Sequence, residues 1–131
     1  MYLFDTNIFL EYLLEQEQAD ACGKALAKVG PQTQGWLTSF SLHAIEALHR
    51  PKQYNRLENF LDFLIESPFF HIYQSSPSEE RDVVKLSKRL SLDFDDALQV
   101  WVARHKKLIL VTLDKDFTKI KDPKILSPHD L

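Results

Sequence analysis

The chain has 131 residues, a formal net charge of -3 and a pI of about 5.9, so it lacks the general basic excess of a dedicated nucleic-acid binder. Hydrophobic residues make up 44%, which is enough for a packed core and too many for a disordered chain. Cys22 is the only cysteine, which excludes an intrachain disulfide and a four-cysteine zinc site and suits a reducing cytoplasm. We expect one domain over residues 1–131, no signal peptide and no membrane-spanning segment.

The elements follow from hydrophobic periodicity and from the residues that end helices. Gly30-Pro31 and Pro68 each close a helical pattern, and Ser76 with Glu79 forms a capping box that opens another. The pattern predicts strands at residues 1–4, 36–40, 69–73, 107–112 and 125–126, and helices at residues 8–14, 19–29, 42–49, 55–66, 76–90 and 96–105.

Strands that alternate with helices predict βαβ units and a parallel sheet. The strands are almost continuously apolar, which is typical of a sheet covered on both faces. We therefore expect an α/β fold, a three-layer α/β/α sandwich with a central parallel sheet of four to five strands. This alternation is shared by many folds and does not by itself identify a function.

Two carboxylates follow strand ends. Asp5 ends the opening strand, and Asp114 comes shortly after the apolar strand that finishes at Thr112. In a parallel sheet both lie at the same edge, where ligands bind in open α/β proteins. The simpler alternatives are that Asp5 only caps the following helix and that Asp114 belongs to a polar turn.

Two further acids lie on apolar stripes of predicted helices. Glu46 lies on the same stripe of a helical wheel as Leu42 and Ile45, and Asp96, in the first turn of its own helix, lies between Val100 and Ala103. A buried carboxylate needs a partner, which can be a cationic side chain or a backbone N–H as well as a metal. If the acids converge, repulsion between them favours a hard divalent cation such as Mg²⁺ or Mn²⁺, which prefers oxygen ligands.

Four stretches carry a resemblance to a known family. They are Phe4–Leu10, Ser41–Leu48, Asp95–Gln99 and Val111–Phe117. In this order and spacing they resemble the four motifs of the PIN domain, and in particular the small VapC-like toxins of bacterial and archaeal toxin–antitoxin pairs. The resemblance covers nearly the whole chain and implies the PIN fold.

The resemblance implies a Mg²⁺- or Mn²⁺-dependent endoribonuclease that cuts single-stranded or loop RNA by in-line attack of water on phosphorus. It implies Asp5, Glu46, Asp96 and Asp114 as the catalytic and metal-binding acids, with Asp116 as a more variable acid that reaches a second metal through water. Three further residues would orient the backbone and the carboxylates: Thr6, Asn7 and Thr112.

The resemblance also implies partners. It suggests a homodimer and a small antitoxin that blocks the acidic pocket, with the amphipathic 55–66 helix and Phe69-Phe70 as a docking groove or, alternatively, as ordinary core. RNA attraction would fall to the metal and to local cations such as Lys52, Arg56, Lys106, Lys107 and Lys115.

Other functions remain open at this stage. The main alternative is a non-catalytic PIN-like module that binds RNA or a partner protein, although such modules usually lack one of the acids. A haloacid-dehalogenase phosphatase is less favoured because Asn7 stands where its second aspartate belongs. A receiver domain is less favoured because Glu46 lies on a helix where a phosphorylated aspartate would follow a middle strand.

Overall fold

A computed structural model describes all residues, 1–131, and has a five-stranded sheet at its centre. The strands are β1 (Tyr2–Phe4), β2 (Gly35–Thr38), β3 (Phe70–Tyr73), β4 (Ile109–Val111) and β5 (Ile125–Leu126). All neighbours in the order β3-β2-β1-β4-β5 are parallel. The expected α/β fold with a parallel central sheet is confirmed, and β5 brings the strand number to five.

Helices cover both faces of this sheet. They are α1 (Thr6–Leu13), α2 (Ala19–Leu26), α3 (Ser39–Leu48), α4 (Tyr54–Glu66), α5 (Pro77–Leu90) and α6 (Phe94–Lys106), with short 3-10 turns at Pro51–Gln53, Lys115–Lys119 and Pro128–Asp130. Successive strand residues point to opposite faces, so Leu3 packs with α5 and α6 while Phe4 packs with α1, α2 and α4.

Several boundaries differ from the sequence prediction. Ser39 and Phe40 belong to α3 and not to β2, because Thr38 takes an extended conformation and its hydroxyl accepts a hydrogen bond from the Ser41 amide. The helix predicted to reach Val29 ends at Leu26 in the structure. The Thr38 cap therefore shortens β2 and lets α3 begin directly at the end of the strand.

Gly35 begins β2 where three side chains crowd the backbone. A Cβ atom at this position would lie 2.7 Å from Val29 and 2.8 Å from Phe70. The sheet and its helical cover therefore approach more closely here than any larger residue permits.

The strand order places a switch point at the centre of the sheet. The chain runs outward from β1 to β2 and β3, then returns to the other side of β1 as β4. Ligands in open parallel sheets bind at such a reversal, beyond the carboxyl ends of the strands. Asp5 directly follows β1 and Thr112 directly follows β4, so the predicted site lies at this point. None of the helices combines the length and the apolar character that a membrane-spanning segment needs.

Candidate metal centre

Three carboxylates meet at the switch point. Asp96 lies in the first turn of α6, Asp114 precedes the turn Lys115–Lys119, and Asp116 lies within that turn. One oxygen from each comes within 4.8 Å of the others. The Asp114 side chain accepts a 2.8 Å hydrogen bond from the Asp116 amide, which fixes the two acids relative to each other.

Asp5 lies beside this group, and both of its carboxylate oxygens accept hydrogen bonds. It is buried, and its Oδ1 accepts a 2.8 Å hydrogen bond from the Thr6 amide at the start of α1. The Thr112 hydroxyl donates to Oδ2 at 2.7 Å and accepts from the Asp114 amide at 3.0 Å. Asp5 does cap α1, as the simpler alternative predicts. It is also connected through Thr112 to Asp114.

Gln99 and Ser41 form a polar network that was not predicted from the sequence. The Gln99 amide donates to Asp5 at 3.3 Å and to the Ser41 hydroxyl at 2.9 Å, and both residues are buried. Ser41 also contacts the hydroxyls of Thr6 and Thr38. The sequence signal that could have identified this network is the side-chain amide of Gln99, which lies among the apolar residues of α6 three positions after Asp96.

Burial and mutual repulsion change the protonation of the acids. The pKa of Asp96 is raised from 3.8 to about 7, first by desolvation and then by the charges of Asp95, Asp5, Asp114 and Asp93. The pKa of Asp5 is also raised, mainly by burial, although its hydrogen bonds from Thr112 and Thr6 act in the opposite direction. The fully ionised cluster is therefore unfavourable unless a positive charge compensates it.

No cationic side chain is paired with the cluster. The ion pairs of the protein join Arg56 to Glu15 and Arg104 to Asp122, away from these acids. Asn7, two residues after Asp5, has a buried amide oxygen with no hydrogen-bond partner. An all-oxygen set with uncompensated charge fits a hard divalent cation such as Mg²⁺ or Mn²⁺.

Two predicted acids lie outside the group of three, Asp5 beside it and Glu46 without any contact to it. Glu46 is half-buried on α3, and its carboxylate makes no hydrogen bond or ion pair. Its stripe is occupied instead by Ser41, Ile45 and His49, all buried. The proposed catalytic role of Glu46 stays a prediction, as do the individual roles of the other acids.

The predicted local cations are mostly elsewhere. Arg56 binds the Leu13 carbonyl and pairs with Glu15 near α1, and Lys106 lies over the ring of Trp36. Of the cations named from the sequence, Lys115 lies beside Asp96 and Asp116, in a shared cleft.

Comparison with known proteins agrees with this architecture. The PIN domain family model matches residues 2–123. No curated protein sequence is similar to this chain.

The solved structures with the same fold include a toxin–antitoxin complex and a toxin. A toxin–antitoxin complex from Klebsiella pneumoniae matches with a TM-score of 0.75 at 24% identity, over 98% of both chains. VapBC2 from Rickettsia felis, bound to a DNA fragment from its promoter, matches with a TM-score of 0.72 at 16% identity, over 96% of this chain and 97% of that one. VapC20 of Mycobacterium tuberculosis, a sarcin–ricin loop cleaving toxin, matches with a TM-score of 0.75 at 15% identity, over 92% and 95%. The family match over almost the whole length and the parallel sheet with acids at its switch point show that this chain belongs to the PIN-domain family.

Proposed function

We propose that the protein is a metal-dependent endoribonuclease, the toxin of a toxin–antitoxin pair, which hydrolyses RNA phosphodiester bonds. The observation that carries the proposal is the group formed by Asp96, Asp114 and Asp116, whose oxygens lie within 4.8 Å and have no cationic partner. Sarcin–ricin loop cleavage by the similarly folded VapC20 supports RNA as the substrate class.

The side chains of this chain have separable tasks in such a reaction. Asp96, Asp114 and Asp116 would hold the cation, and Asp5 would join them from the β1 side. When bound, Mg²⁺ or Mn²⁺ supplies Lewis-acid activation of water and neutralises charge on the phosphate oxygens. The acids orient the attacking water and take up its proton, while Thr112 and Gln99 hold Asp5 in place.

The test is cleavage of a mixed single-stranded RNA pool while Mn²⁺ or Mg²⁺ is titrated. Asp96→Asn and Asp114→Asn should lower the rate at least about 100-fold, since each removes a charge from the acid group. Asp62→Asn, an exposed residue of α4, is the charge-matched control and should keep full activity. Metal binding without cleavage of any RNA would favour a non-catalytic module, and absence of metal binding would show that the acids have another role.

We propose an antitoxin as the protein partner and place it on an apolar groove of about 460 Å³ between α1, α2 and α4. Phe63 and Tyr12 contribute to this groove and are each about half exposed. Phe63→Glu should release an antitoxin that is co-expressed with the protein. Val84→Glu, on the opposite helical layer and similarly exposed, is the control, and equal retention by both variants would place the partner elsewhere.

We also propose a homodimer that covers the exposed apolar residues of α3. Leu48 is 59% exposed and Phe40 46%, even though the ring of Phe40 has an edge contact with that of Phe94. Leu48→Glu should shift a dimer to monomer in light scattering, whereas Ile65→Glu on α4 should not. A wild-type mass that stays near 15.3 kDa at high concentration would contradict the dimer. A cytoplasmic location, where RNA is available, completes the proposal.

A further inference from the structure

A groove of about 860 Å³ opens directly beside the acid cluster. Thr112 and Asp114 form one end of its wall. The remaining wall comes from the end of α1 with Gln18, from the turn Lys115–Lys119, and from β5 with the residues after it. The groove therefore begins at the proposed reaction centre and extends toward the edge of the sheet.

The groove is cationic in a protein whose net charge is negative. Lys115, Lys121 and Lys124 line it and are exposed, and none of their ammonium groups makes an ion pair or a hydrogen bond. Beyond Asp114, the acidic residue of the lining is Glu11, whose carboxylate accepts a 2.8 Å hydrogen bond from the Gln18 amide. Free lysines along a groove that begins at an acid cluster are the arrangement expected where a polyanion approaches a metal site.

The lining also offers apolar surface. Its half-buried hydrophobic members are Leu113, Ile120, Ile125 and Leu126, whereas Phe117 lies fully buried beneath them. Nucleic-acid grooves that accept single strands combine cations for the phosphates with apolar or aromatic surface for the bases. A groove lined only by lysines would attract any anion, whereas this combination suits an unpaired strand whose bases are accessible.

We propose that this lysine groove binds single-stranded RNA on one flank of the scissile phosphate, with Lys121 and Lys124 contacting backbone phosphates. The inference rests on the proposed ribonuclease function and adds where the strand runs. The groove is lined by Asp114 but by neither Asp96 nor Asp116, so it lies on one side of the cluster and binds one flank of the substrate.

The binding test compares two pairs of lysines with equal charge. Lys121→Ala/Lys124→Ala removes the groove pair, and Lys24→Ala/Lys88→Ala removes exposed lysines on α2 and α5. Both pairs are made in an Asp96→Asn background, so that a fluorescein-labelled 12-nucleotide single-stranded RNA pool is not cleaved during the titration. The groove pair should weaken RNA binding about tenfold and lower the slope of log Kd against log salt by about 1.4, since each phosphate contact of a single strand contributes roughly 0.7. The control pair should change Kd less than about twofold.

The kinetic test uses the active protein and substrates of different length. In the parent protein, extension of the RNA on one flank of the cleaved bond should lower KM, and extension on the other flank should not. The groove pair should abolish that gain while kcat at saturating RNA stays within about twofold. Matching thermal unfolding curves establish that both pairs fold, and Lys121→Gln/Lys124→Gln repeats the test with the side-chain length retained.

The outcomes separate this inference from the proposed function. If the parent protein cleaves RNA and the groove pair behaves as the control pair does, the groove inference is wrong and the nuclease stands. If the groove pair loses a protein partner but keeps its RNA affinity, the groove belongs to that partner and the inference is again overturned. If the parent protein neither binds nor cleaves RNA with either metal, the proposed function fails and the groove assignment fails with it.

Discussion

The hydroxyl of Thr112 donates a 2.7 Å hydrogen bond to Oδ2 of Asp5, which lies 107 residues earlier in the chain. One bond thus connects the residue after β4 with the residue after β1. The Asp5 amide donates in turn to the Val111 carbonyl at 3.0 Å, so the backbone of the same two strand ends is also joined. The position of the buried carboxylate is therefore set by the pairing of the two central strands.

Thr112→Val should loosen this connection without changing the volume of the side chain. It leaves Oδ2 of Asp5 and the backbone amide of Asp114 without their hydrogen-bond partner, while Oδ1 of Asp5 keeps its bonds from Thr6 and Gln99, and the expected cost is about 1–3 kcal/mol in the free energy of unfolding. Loss of an orienting hydrogen bond typically weakens metal affinity about 10- to 100-fold. Urea unfolding and Mn²⁺ titration measure the two effects, and Thr112→Ser, which keeps the hydroxyl, should lie close to the parent protein in both.

The raised pKa of Asp96 predicts how the metal-free protein responds to pH. Its pKa is 3.8 in the reference state and about 7 in the folded protein, so the folded chain retains a proton that the unfolded chain has lost between about pH 4 and 7. Stability should therefore fall as pH rises through this window. Asp5, whose pKa is also raised, acts in the same direction.

Thermal unfolding in a chelator from pH 5 to 8 checks this dependence. Asp96→Asn should flatten the slope and be more stable than the parent protein at pH 8 without metal, because it removes a repelling charge. Added Mn²⁺ should stabilise the parent protein more at pH 8 than at pH 5, since protons and metal compete for the same oxygens. A metal-free stability that rises toward pH 7 would contradict the clustering of the acids.

Gln99 should tolerate an apolar substitution better than an acidic one. Its amide group donates to Asp5 and Ser41 in a buried position. Gln99→Glu places a second buried carboxylate against Asp5, and an unpaired buried charge is far more costly than a lost hydrogen bond. Chemical denaturation should rank the parent protein first, Gln99→Met second and Gln99→Glu last, and a Gln99→Met variant as stable as the parent protein would show that the amide only fills space.

The sequence carries the fold and part of the site for identifiable reasons. Apolar strands and strong helix signals such as Ser76 with Glu79 are local, so the element order and the parallel sheet follow from them. The meeting of Asp5 with Asp114 follows from parallel strands ending at one edge. The partners of Gln99 cannot be predicted from such local signals. Its contacts with Asp5 and Ser41 join residues 94 and 58 positions apart and depend on how α6 packs against α3.

Glu46 is the residue for which the prediction from helical periodicity and the structure differ. Its position on an apolar stripe of α3 suggested convergence with the other acids, yet Glu46 is not part of the group formed by Asp96, Asp114 and Asp116. If Glu46 takes part in the reaction, it acts on the RNA or on water and not as a member of this group. Glu46→Gln should then lower the cleavage rate at least about 100-fold while it weakens Mn²⁺ binding much less than Asp114→Asn does.

The comparison of Glu46→Gln with Asp114→Asn needs a control variant in which a carboxylate is also replaced by its amide. Glu58→Gln, an exposed residue of α4, removes the same charge at a distance from the cluster and should leave both metal binding and cleavage unchanged. Isothermal titration with Mn²⁺ and single-turnover cleavage separate affinity from rate. Full activity in Glu46→Gln would show that the acids brought by β1, α6 and the segment after β4 suffice, and that Glu46 is only a half-buried polar residue of α3.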